Sequence, residues 1–79
     1  MDCKICNIKI NNTNKRTSIF DYETIVCRRC YVAEQLAKTS KDSQTRDVVH
    51  FAYVVKDFDL WKSVVLLHTD EASELNSVM

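Results

Sequence analysis

The chain carries four cysteines in two pairs, CKIC at residues 3–6 and CRRC at residues 27–30, with 20 residues between Cys6 and Cys27. No other feature restricts the fold as much. Two residues between sulfurs let one turn aim both at a single ion, and a second such pair completes a tetrahedron. The pattern predicts one structural zinc ion held by Cys3, Cys6, Cys27 and Cys30. Four thiolates leave no open position on the metal, which marks a structural site and not a catalytic one. Two disulfides and an iron–sulfur cluster are the competing readings, but common cluster spacings bring three cysteines closer together. Structural zinc contributes on the order of 10 kcal/mol to folding. A chain of 79 residues needs such a staple, because small domains bury only about 60% of the surface they expose when unfolded.

Turn chemistry is the second constraint. The sequence has no glycine and no proline, where average usage predicts roughly five glycines and four prolines. Asn, Asp, Ser and Thr must therefore make the turns. Glycine-rich phosphate loops and dinucleotide fingerprints are excluded. Asn7 follows the first cysteine pair, where a metal-binding turn usually passes through positive φ. Asparagine is the non-glycine residue best able to do so, and Asn7 is expected there.

The rest of the chain reads as one α+β domain. NNTN at residues 11–14 is turn-rich, and RTSIFDYETIVC at 16–27 suits two short strands around a turn. Residues 28–40 hold good helix formers, with Val32 and Leu36 on one face. KTSKDSQTRD at 38–47 is polar throughout and reads as a surface connection. DVVHFAYVVK at 47–56 and LWKSVVLLH at 60–68 are rich in Val, Leu and aromatics. They are expected to form an apolar β-hairpin turning at KDFD, packed on Val32 and Leu36. A helical template over 46–68 is the alternative: it collects Val48, Phe51, Ala52, Val55 and Phe58, but puts Asp59 and Lys62 on the apolar stripe. TDEASELNSVM at 69–79 suits a short helix, with Thr69 as cap and Asp70 and Glu71 at its positive end.

The order of a cysteine turn, a hairpin and a helix opening at the second cysteine pair resembles the treble-clef zinc finger over residues 3–38. The resemblance implies CKIC on the knuckle and CRRC on the first turn of the helix. The same frame is similar to recombination endonucleases of the phage endonuclease VII type. Their Asp/His pair lies between the cysteine pairs, and residues 7–26 contain no histidine, so no catalytic residue is carried over. A looser, design-level resemblance is to Gin-type anti-sigma factors, on CKIC, IVCRRC and VVHFAYVVKDF. It implies a small regulator acting on a polymerase or sigma-type factor.

Charge divides the chain. It sums to zero, with 11 basic and 11 acidic residues, yet residues 1–40 carry +3 and residues 41–79 carry −3. Zinc thiolates would lower the first half to about +1, which is not the footprint of a strong nucleic-acid binder. Lys15, Arg16, Arg28 and Arg29 are the candidates for phosphate contact in the alternative reading, a nucleic-acid-binding zinc finger. Their bland role is to offset the metal site. His50 and His68 lack further ligands in the sequence and read as ordinary surface residues.

The expected function is binding, and no enzyme is expected. Residues 1–40 form the zinc module and residues 46–79 an interaction segment. Both alternating faces of the apolar stretches hold large side chains, more than a hairpin can cover itself. Phe51, Tyr53, Phe58 and Trp61 are therefore expected as anchors for a protein partner or a second copy in a homodimer, with at least two in the core. No run of residues approaches a membrane span, and no signal peptide is expected because Asp2 and Lys4 interrupt the start. A cytoplasmic location fits cysteines used for metal. The small size suits a viral or phage protein.

Overall fold

A computed structural model describes residues 1–78, with side chains described up to Glu74. Two short strands precede four helices. Strands β1 (Lys15–Thr17) and β2 (Ile25–Cys27) are followed by α1 (Arg28–Lys38), α2 (Ser43–Val55), α3 (Phe58–Leu66) and α4 (Thr69–Val78). The class is α+β, as expected. β1 and β2 pair antiparallel with Lys15 opposite Cys27 and Thr17 opposite Ile25.

The turns are made as the missing glycine demands. Asn11 Oδ1 accepts from the backbone N–H groups of Thr13 and Asn14, at 2.9 and 3.1 Å, and so folds the approach to β1. Asp21 Oδ1 accepts from the Glu23 N–H at 2.9 Å and closes the turn before β2. These are side-chain mimics of backbone turns. Cys27 caps α1, its sulfur accepting from the Cys30 N–H.

The expected hairpin over 47–68 is not formed. That segment is two capped helices, α2 and α3, and the helical alternative describes it better. Valine-rich sequence disfavours helix by only a few tenths of a kcal/mol per residue, and capping and packing outweigh that. Asp42 Oδ1 accepts from the Gln44 N–H at 3.0 Å and starts α2. The polar connection is thus only residues 39–42, since SQTRD lies in α2. Lys56 then adopts a left-handed conformation (φ 59°) that ends α2, and Asp57 caps α3. This break re-phases the apolar stripe. α3 buries Trp61, Val64 and Val65 and keeps Asp59 exposed.

α1 is the central element and packs against α2, α3 and α4. Its contact face also differs from expectation. Cys30, Ala33, Glu34 and Ala37 are buried, whereas Val32 and Leu36 are only half-buried. Small alanines let the other helices approach closely. The helix over residues 69–79 is present as α4, although Met79 lies outside the described residues. Thr69 is inside it, and its hydroxyl donates to the Leu66 carbonyl at 2.9 Å.

Candidate metal centre and its surroundings

The first cysteine pair sits on a tight turn. The Cys3 N–H donates to the Ile8 carbonyl at 2.9 Å, and the Asn7 N–H donates to the Cys3 carbonyl at 3.0 Å. Asp2 and Lys9 form an antiparallel bridge behind the turn. Asn7 has φ 66°, the left-handed value expected of it. The turn aims two N–H groups at the Cys3 sulfur, from Ile5 at 3.4 Å and Cys6 at 3.5 Å. The second pair repeats the device, with the Cys30 N–H at 3.5 Å from the Cys27 sulfur. There the positive end of α1 adds to the stabilisation of sulfur charge. The Lys4 N–H donates to the Ile25 carbonyl at 3.2 Å and holds the two half-sites side by side.

All four sulfurs lie within 4.8 Å of one another. The Cys6 and Cys27 sulfurs are 3.6 Å apart. A tetrahedral zinc with Zn–S bonds near 2.3 Å requires sulfurs about 3.8 Å apart, so the donor set fits one structural zinc ion in number, chemistry and spacing. Cys3, Cys27 and Cys30 are buried and Cys6 is half-buried. Burial pushes the Cys27 and Cys30 thiols up. Cys6 is also raised by burial, but the Ile8 backbone and the three neighbouring thiols outweigh this and hold it at about 7. Among the described residues, this is the only cluster of three or more Cys, His, Asp or Glu that could hold a metal.

The expected phosphate-contacting residues are divided by the fold. Arg29 lies against the metal centre, where the Cys6 sulfur raises its pKa against the effect of burial. Its Nε is buried with no hydrogen-bond partner among the described residues. Arg16 donates to the Thr13 and Lys15 carbonyls. Lys15 and Arg28 remain exposed.

The expected partner anchors are divided too. Trp61 is 1% exposed and belongs to the core. Its ring lies 5.3 Å from Phe20 and 6.2 Å from Tyr53, and Phe58 lies 5.5 Å from Phe20. Lys56 Nζ covers the Tyr53 ring at 4.3 Å and donates to the Phe20 carbonyl. Phe20, from the loop between the strands, is thus wedged into the aromatic side chains of α2 and α3. Phe51 stands outside this cluster and is 57% exposed.

Glu34 was not singled out by any motif, yet it joins the two halves. It is fully buried in α1 and accepts from Trp61 Nε1 at 2.8 Å, from the Ile19 N–H at 3.3 Å and from the Ser18 hydroxyl. Burial raises its pKa, against the pull of these hydrogen bonds. The one signal available in the sequence was its position on the same helical face as Cys30 and Ala37.

Compared with protein-family models, curated proteins and solved structures, the chain matches none. No helix among the described residues is long and apolar enough to cross a membrane.

Proposed function

We propose that the protein is a zinc-stabilised protein-interaction module and not an enzyme. The observation that carries this is an apolar stripe on α2 that stays exposed among the described residues. Phe51, Val54 and Val55 are 57%, 61% and 49% exposed, and their three- and four-residue spacing places them on one face. A marginal small domain gains nothing from exposing these side chains unless something covers them. The metal centre holds α1, and α1 packs against α2.

The knuckle bridged at Asp2 and Lys9, the β1–β2 hairpin and the helix opening at CRRC support a treble-clef-like reading of residues 3–38. Regulation of transcription through a polymerase or sigma-type factor is the most concrete form of the function. It rests on the resemblance to Gin-type factors alone. Of the four basic residues considered for nucleic acid, two are engaged within the protein, which favours the protein-binding reading.

The test is a photo-crosslinking amino acid at position 51, with size and light scattering measured in parallel over a range of protein concentrations. A defined crosslinked partner, or a crosslinked dimer of the chain itself, is expected, and Phe51→Ser should abolish it. A strictly monomeric protein that crosslinks to nothing in its producing cells would falsify the proposal.

A further inference from the structure

A cleft of about 520 Å³ opens between the end of α1, one face of α2 and the loop before Phe20. It is separate from both the metal centre and the Phe51 stripe. Its floor is apolar: Ile19, Val49, Tyr53 and an edge of Trp61. Its rim holds Lys38, Arg46 and His50, with Asp47 as the one acidic member. Arg46, Val49, His50 and Tyr53 follow the three- and four-residue spacing of a single helix face. The sequence thus builds floor and rim from one stretch of α2, and α1 adds Lys38 from its last turn.

Three observations point to a ligand. The volume lies in the range of sites that hold small organic molecules, roughly 300–1,000 Å³, and the lining sets a charged rim against an apolar bed. Lys38, Arg46 and His50 make no side-chain hydrogen bond or ion pair among the described residues, so their donors are available to a ligand. The rim carries two full positive charges against one negative, in a protein whose formal charge is zero. An Arg and a Lys facing a shared apolar bed select a group with an anionic end and a flat or branched apolar body.

We infer that this cleft is a binding site for a small amphipathic organic anion, an aromatic or aliphatic body bearing a carboxylate or phosphate. The body lies on the accessible surfaces of Ile19 and Tyr53, over the buried Val49 and Trp61, and the anionic end meets Arg46 and Lys38. The inference does not depend on the interaction stripe, because Phe51, Val54 and Val55 do not line the cleft.

The experiment is an NMR titration of the zinc-loaded full chain with naphthoate, with neutral naphthylmethanol and with cationic naphthylmethylammonium as controls. Naphthoate should shift the amides of Lys38, Arg46, Val49 and His50 and the Trp61 indole N–H saturably. The neutral analogue should bind about fivefold more weakly and the cation more weakly still. Arg46→Glu should remove the preference for the anion while leaving affinity for the neutral probe unchanged. Lys38→Ala, at an exposed site, is a second variant should Arg46→Glu disturb the fold. Equal binding of anion and neutral analogue, shifts confined to other surfaces, or an anion affinity untouched by either variant would each overturn the assignment. So would binding of an acidic peptide with no binding of the small anion.

Discussion

Residues 3–38 close around four sulfurs, whereas residues 43–78 contain no staple and are held by side chains shared with the first half. Phe20 and Glu34 are those shared side chains. Phe20 enters the aromatic cluster of α2 and α3, and Glu34 receives the Trp61 indole. The difference places stability in a hierarchy. The metal orders α1, and α1 then presents the buried face on which three helices dock. The helical half should therefore depend on the metal although it contains no ligand.

The largest expected effect tests that dependence. Removing zinc with a chelator should cost on the order of 10 kcal/mol of folding free energy. The far-ultraviolet helical signal should fall and Trp61 emission should shift to the red together. Were Trp61 to stay buried while the cysteine half unfolded, the two halves would be independent and the hierarchy wrong. Cys27→Ser should mimic chelation, because it removes a zinc ligand although the serine hydroxyl can still cap α1.

Glu34→Ala comes next. It leaves the Trp61 indole, the Ile19 N–H and the Ser18 hydroxyl without their acceptor in the core, a loss of about 3 kcal/mol. Urea unfolding of the zinc-loaded protein measures it. Glu34→Gln keeps an acceptor for Trp61 and should lose less. The two forms should also differ with pH. Burial raises the Glu34 pKa in the folded state, so its contribution is fully present below the unfolded value and lost as pH rises through the folded one. Zinc ligation works in the opposite direction, because thiolates form as pH rises. The difference between wild type and Glu34→Gln cancels the metal term, and the variant should gain relative stability as pH rises from 4.5. A constant difference would mean that Glu34 does not change protonation on folding.

This hierarchy also explains what was legible in the sequence. The four ligands, the hairpin before α1 and the left-handed Asn7 were all readable, because metal geometry and turn chemistry act over a few residues. Residues 47–68 read as strands from sequence because Val and Phe runs fit both periods, whereas the structure folds them as α2 and α3. The deciding information lay in Asp42 and Asp57 as caps and in Lys56 as a left-handed break. From sequence Trp61 reads as a partner anchor, because nothing local shows that a glutamate 27 residues earlier accepts from its indole. Buried polar hubs are set by tertiary contacts, and a carboxylate on a helix reads as surface until its partners are known.

Arg29→Ala probes the cysteine half more finely. Zinc bound to four thiolates carries a net −2 charge, and the Arg29 guanidinium is the cation beside Cys6. Its loss should weaken zinc about tenfold in competition with a chromophoric chelator, with little change in Trp61 emission while the metal stays bound. An unchanged zinc affinity would return Arg29 to the pool of residues available to phosphate.

The smallest expected effects compare the two left-handed residues, one in each half. Asn7 (φ 66°) and Lys56 (φ 59°) stand where a glycine would relieve strain. A left-handed conformation costs a non-glycine residue about 1–2 kcal/mol, and asparagine suffers least. Asn7→Ala should therefore lower stability by about 1 kcal/mol, and Asn7→Gly should be neutral or slightly stabilising. Lys56 is different, because its side chain is used. Its ammonium lies over Tyr53 and Phe20 and donates to the Phe20 carbonyl, and such contacts contribute about 0.5–1 kcal/mol. In Lys56→Gly the conformational relief and the lost contacts offset each other, leaving a change of less than about 0.5 kcal/mol. Lys56→Asn keeps the left-handed preference without the ammonium and isolates the cation–π contribution. A stabilising Lys56→Gly would show that the lysine contacts are idle and that only the backbone break matters at this joint.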